Sequence, residues 1–138
     1  MHGLTSYGLY HEAMKAFDGL HAAMTHFADR RLPELFCGIG KRSGALVRYP
    51  VACSPQAWAS AAPLLLVQSI LGIEADAPQK RLLIKNPRLP QTVRKLELHG
   101  MRVGSALVSV SFRRVGKRCH VDKLDVTGGP LKTDIQIE

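Results

Sequence analysis

The chain has 138 residues, of which 46% are hydrophobic and 22% charged. That is the size and composition of one ordinary globular domain or a piece of one, and it excludes a disordered tail, a collagen-like rod and a coiled coil. The 19 Lys and Arg against 11 Asp and Glu leave a net charge of +8.

The surplus charge is uneven. Residues 1–72 carry +2, whereas residues 80–118 carry eleven basic side chains and one acidic one, Glu97. Such a block suits phosphates, whose counterions lysine and arginine release. The same residues also serve as solvated faces and edge guards on surface strands. No RNA- or DNA-binding motif accompanies the block, and aromatic residues make up only 6%. Nucleic acid is therefore not an expected partner.

In chain order, Leu4–Tyr7 followed by Gly8 reads as the end of a helix closed by a C′ glycine. Residues 10–28 read as an amphipathic helix. Tyr10, Ala13, Met14, Phe17, Leu20, Met24 and Phe27 recur at three- and four-residue steps and form one apolar stripe. Arg30 and Arg31 follow at the C-terminal end, where cations suit the helix dipole.

Residues 32–53 contain three glycines and two prolines and predict an irregular loop of functional length. The loop is no Walker motif, because Gly40-Lys41 lacks the earlier glycine and Arg42 stands where Ser or Thr belongs. A second helix is expected over 54–71, with Ser54 as N-cap, Pro55 at the first helical position and Gly72 at C′. Pro63 should bend it or cost it a hydrogen bond.

Residues 49–73 hold no charge, yet Pro50, Pro55 and Pro63 interrupt them. The part able to form one helix is short for a bilayer, so no membrane partner is expected. A helix buried on all faces of a larger fold is the better reading. After residue 73 the period becomes alternating. Strands are expected at 81–85, 94–99, 106–113, 118–126 and 133–137.

The three cysteines Cys37, Cys53 and Cys119 form no C-x-x-C pair, and the six histidines form no H-E-x-x-H. No metal or cofactor is implied. The odd number points to reduced thiols and a cytoplasmic location, with Cys37–Cys53 pairing as the alternative. The N-terminal residues lack the basic and apolar regions of a signal peptide.

Three stretches carry a resemblance: Arg31-Leu-Pro-Glu-Leu-Phe-Cys-Gly38, Tyr49-Pro-Val-Ala-Cys-Ser-Pro-Gln-Ala-Trp-Ala59, and the later LLIKNPRLPQTVRKLELHGMRVGSALVSVSFRR. Together they resemble the C-terminal end of bacterial amylo-α-1,6-glucosidases, glycoside hydrolases similar to glycogen-debranching enzymes of carbohydrate metabolism. The resemblance implies an α+β chain: the last helices of an (α/α)6 six-hairpin toroid followed by a small antiparallel β tail. It divides the chain into a helical remnant at 1–73, with an active-site loop at 32–53, and a β-rich tail at 74–138.

The function so implied is that of a fragment or truncated form of an α-glucan hydrolase of the inverting type, inactive alone. Two carboxyl groups normally flank the scissile bond, one donating a proton and the other activating water. Glu34 corresponds to the base; it could instead cap a turn or pair with Arg30 or Arg31. No acidic residue here is a convincing general acid. Trp58 could stack on sugar or pack in the core, and Gln56 could bond a hydroxyl or face solvent. Phe36 and Tyr49 carry the same two readings, and Arg48 could meet a hydroxyl or a carboxylate. The implied partner is an α-glucan or oligosaccharide bound once the missing toroid is present. Self-association or a complementary fragment is also expected, because two helices cannot bury this much apolar surface. The alternative is a non-catalytic module that binds carbohydrate or protein.

Overall fold

The computed structural model describes residues 2–37 and 46–137. Its contacts divide the chain into two compact units, one up to Val67 and one from Gln68 onward.

The first unit begins with a short helix α1, His2–Ser6. It closes where Gly8 adopts φ +73° and its N–H donates to the Thr5 carbonyl (3.1 Å). Helix α2 spans Tyr10–Met24 and ends earlier than the apolar stripe. Thr25 stops it: the hydroxyl donates back to the Ala22 carbonyl (2.7 Å), competing with the helical ladder. A 3₁₀ turn follows at Ala28–Arg30, in which Asp29 and Arg30 take left-handed φ of 53° and 54°. Helix α3 spans Ala57–Ile70 and runs through Pro63 unbroken. Ala23, Leu32 and Ala59 form the buried cluster between these elements, with Leu20, Met24, Leu46 and Ala62 packed against it.

The second unit holds six strands in two three-stranded sheets. One sheet has the order β1–β2–β6 (Ile73–Asp76, Arg81–Lys85, Lys132–Gln136), and the other β3–β4–β5 (Lys95–Val103, Ala106–Val115, Arg118–Thr127). Alternation drives the second sheet. Ala106, Val108, Val110 and Phe112 are buried on one face of β4, and Leu107, Arg113 and Val115 are exposed on the other. Leu71, Leu82 and Ile84 are equally buried. Each such large aliphatic or aromatic side chain stabilises the fold by about 1.5–3 kcal/mol. Gly72 ends α3 as expected, its N–H donating to the Ser69 carbonyl (3.3 Å). From there, Lys85 N–H donates to the Gly72 carbonyl (2.9 Å) and Arg88 N–H to that of Ile70 (2.7 Å), sewing the end of the helix to β2.

Three expectations are corrected. The chain is not the end of an (α/α)6 toroid followed by a small antiparallel β tail. It is a mixed α+β structure with, among the described residues, three α-helices and six strands in two sheets. No succession of paired helices surrounds α3, and β6 runs parallel to β2. That parallel pairing is possible because β3–β5 supply the long crossover it needs. Secondly, α3 starts at Ala57 rather than Ser54, because the Gln56 side chain accepts the Ala57 N–H (2.8 Å). On α3 itself, Trp58, Leu64 and Leu65 stand 63%, 75% and 53% exposed, in keeping with more apolar surface than two helices can bury. Lastly, β1 is a strand that alternation did not mark, held by antiparallel pairing of Ile73–Asp76 with Arg81–Ile84.

Gly72 is a point of constraint. Its φ is +60°, and a Cβ there would overlap the Lys85 carbonyl oxygen. Gly100 has a similar φ of +65° but open space around it. Gly72→Ala should lower unfolding free energy by about 3 kcal/mol, and Gly100→Ala by about 1 kcal/mol. Equilibrium denaturation followed by far-UV circular dichroism measures both, and equal losses would remove the role given to the Lys85 contact.

Candidate functional site

The loop expected to be irregular contains a short ribbon. Leu32 and Pro33 are buried and root its first arm beside the helical cluster. Glu34 N–H donates to the Cys53 carbonyl (2.9 Å), Phe36 bridges Arg48 in antiparallel fashion, and Cys37 N–H donates to the Val47 carbonyl (3.0 Å). A turn closed by Ala52 N–H on the Tyr49 carbonyl (3.1 Å) takes up the extra residues of the second arm. Gly38, Gly40, Lys41 and Arg42, on which the Walker comparison turned, lie outside the described residues.

The ribbon brings four of the six candidate residues onto one piece of structure. Glu34 is half-buried. Among the described residues no ion pair or side-chain hydrogen bond engages its carboxylate, so the pairing with Arg30 or Arg31 is not made. Phe36 and Tyr49 are exposed along the two arms, with Leu35 and Val51 beside them in sequence and also exposed. Arg48 turns to α2 instead. Its Nη2 donates to the His26 carbonyl (2.7 Å), and its guanidinium carbon lies 5.0 Å from the Phe27 ring centroid.

Gln56 just precedes α3 and Trp58 is in its first turn, both just past the second arm. The Gln56 side-chain oxygen accepts the Ala57 N–H, which makes it a helix cap. Trp58 is 63% exposed rather than packed in a core, which leaves an indole face available for stacking. Sequence reasoning placed Phe27 only on the stripe of the first helix and missed Leu46; these two hold the ribbon to Arg48 and to the helical cluster. It also missed the left-handed pair Asp29–Arg30 that turns the chain from α2 toward Glu34. Aspartate tolerates that conformation, and arginine gives no warning of it.

Part of the basic block is engaged within the second unit's own structure. Arg114 donates to the carbonyls of Val93 (3.2 Å), Gly116 (3.0 Å) and Gln91 (2.6 Å). On the polar face of the β3–β4–β5 sheet, Lys95 pairs with Glu97 (2.7 Å), Arg113 with Asp122 (2.8 Å) and Lys123 with Asp125 (2.7 Å). The hydrogen bond from Arg113, more than its charge, holds the Asp122 carboxyl below the usual range. The bond from Lys95 does the same for Glu97.

Among the described residues no group of three His, Cys, Asp or Glu side chains stands ready to hold a metal ion. Cys119 and His120 are neighbours on β5 and therefore point to opposite faces. No helix among the described residues is long and apolar enough to cross a membrane. In comparisons with known proteins, no family model matches the chain, and no curated protein or solved structure matches it either.

All three cysteines are free. Cys37 faces Val47 across the ribbon, while Cys53 faces Glu34 three residues away along the first arm. A disulfide between them would need that pairing broken. Burial pushes the Cys119 thiol up to about 11, from an ordinary 9.0. With thiol reagent at pH 8, Cys53 should label first and Cys119 only after unfolding, as read by mass spectrometry. The unfolded chain gives up the Cys119 proton at lower pH than the folded one. Stability should therefore fall as pH rises from about 9 toward 11. Labelling of Cys119 in the native protein at the rate of Cys53 would contradict its burial.

Proposed function

We propose that this chain is the α-glucan-binding part of an amylo-α-1,6-glucosidase-like glycoside hydrolase, carrying the general base Glu34 and depending on another segment or chain for the acid. One observation carries the reading. A half-buried carboxylate without an ion-pair partner among the described residues stands on a ribbon with exposed aromatic side chains. A base must keep its lone pairs free for water, and an ion pair would reduce its affinity for a proton.

Phe36, Tyr49 and Trp58 offer flat apolar faces to sugar rings, and Glu34 would activate the attacking water. In an inverting enzyme the acid must stand roughly 6.5–9.5 Å from the base. Asp29 is in the turn after α2, and Glu12 and Asp18 are exposed on α2. All three are exposed, and none stands on the ribbon that carries Glu34. The isolated chain should therefore bind glucan without hydrolysing it. The free thiols suit a reducing compartment, the cytoplasm.

The second reading is a non-catalytic carbohydrate-binding module, favoured by the same aromatics in the absence of a second poised carboxyl. Trp58 is the only tryptophan and reports on both. Titration with a malto-oligosaccharide and with an α-1,6-branched one should change its fluorescence saturably. The midpoint should be nearly the same at low and at moderate salt. Nucleic acid should not compete, because its binding would fall steeply with salt. No saturable change with either sugar would overturn both readings. Release of glucose by the chain alone would overturn its dependence on a separate acid. Glu34→Gln should leave the midpoint within about twofold if Glu34 acts on water rather than on sugar binding.

A further inference from the structure

We infer that Arg48 is a positioning residue: its guanidinium latches the second arm of the ribbon onto the end of α2 and so sets where the Glu34 arm stands. The consequence for sugar chemistry rests on the function proposed above, whereas the latch itself does not.

Three features of the second arm point the same way. Leu46 packs against the Ala23–Leu32–Ala59 cluster, and Val47 is exposed. Arg48, next in the alternation, returns to α2 through the His26 carbonyl and the Phe27 ring. In an extended segment residues 46 and 48 share a face, so one side of the arm is fastened twice, once by an apolar contact and once by a cation.

The acceptor explains the choice of arginine. His26 lies two residues past the end of α2, just beyond the C-cap Thr25, in the turn that leads to the 3₁₀ segment. The neighbouring turn uses other acceptors: Phe27 N–H donates to Met24 and Arg30 N–H to Phe27. The His26 carbonyl is met by Arg48 instead, at 2.7 Å. A cation is favoured there by the helix dipole, and the Phe27 ring adds a cation–π contact at 5.0 Å.

The latch reaches Glu34 through the ribbon. Arg48 bridges Phe36, Val47 accepts the Cys37 N–H, and the same arm continues to Cys53, which accepts the Glu34 N–H. Freeing the guanidinium would leave the ribbon paired with itself but fastened to α2 by Leu46 alone.

Amide hydrogen exchange of the full chain tests this, with Glu34 and Cys37 as reporters because both donate across the ribbon. Arg48→Met keeps the stem and removes the head. It should speed exchange at both amides about tenfold, the loss expected of one charge-assisted hydrogen bond with its ring contact. Amides within α2 and β4 should stay within about twofold. Arg48→Lys keeps a cation that can donate to the His26 carbonyl and should recover most of the protection. Phe27→Leu should give part of the effect, and combining it with Arg48→Met should add little.

Unchanged exchange at Glu34 and Cys37 in Arg48→Met would overturn the latch. So would an equal rise throughout α2, or a failure of Arg48→Lys to rescue. Should Arg48→Met fail to fold, Arg48→Lys and Phe27→Leu still decide: exchange at wild-type rates in Phe27→Leu would overturn the ring contact's part. The oligosaccharide titration is a separate arm. Absence of sugar binding by the wild type would reject the functional reading and leave the exchange result standing. Loss of sugar binding in Arg48→Met with unaltered exchange would make Arg48 a direct ligand and overturn the latch.

Discussion

Carbonyl groups in segments without regular structure need donors, and in this chain arginine supplies them. Irregular backbone cannot fill its hydrogen bonds from a ladder, and leaving them unmade while excluding water is costly. In the second unit the stretch between β2 and β3 contains two prolines, which donate nothing. Arg114 on β4 reaches across to Gln91 and Val93 and also closes the Gly116 turn. In the first unit Arg48 does the same for the carbonyl left over at the end of α2. The planar guanidinium suits this work, since one head carries five donors in a fixed fork.

This use of arginine changes the meaning of the basic block. Read as a string, residues 80–118 are an unopposed run of positive charge. In the fold, Arg114 is spent on carbonyls, and Lys95 and Arg113 face Glu97 and Asp122 on neighbouring positions of the sheet. These exposed pairs contribute little stability. Their effect is to alternate the sign of charge along part of one sheet face. Asp122 could not be counted against the block from sequence, because it lies outside the run and meets Arg113 only through the pairing of β4 with β5.

The elements most legible in the sequence were those with a local signature. The stripe beginning at Tyr10, the glycines Gly8 and Gly72 beyond helix ends, and the alternation through Ala106–Phe112 each act within a few residues. What local pattern could not give depends on distant partners. Glu74 and Asp76 do not favour a strand, and β1 exists because Leu82–Ile84 offer it a ladder. The parallel return of β6 to β2 has no local mark. For α3, hydropathy gave the amount of apolar surface but not which face would be covered. Within the candidate site, one sequence segment already held Glu34, Phe36, Arg48 and Tyr49. The direction of Arg48 was hidden, since it follows from where Thr25 stops α2 and exposes the carbonyl of His26.

The placement of Glu34 follows from the same division of labour. Three arginines lie near it in sequence or across the ribbon: Arg30, Arg31 and Arg48. Any of them close to the carboxylate would make it half of an ion pair. Arg30 is carried through a left-handed turn, Arg31 is exposed, and Arg48 is bound to His26 and Phe27. The latch therefore acts twice on the site. It fastens the ribbon, and it removes from the ribbon's own inventory the cation most able to neutralise the carboxylate. A lysine could do the first by charge alone, but its single flexible ammonium would be freer to swing toward Glu34. Arginine, held by a carbonyl and a ring, is the side chain that can be both close in sequence and committed elsewhere.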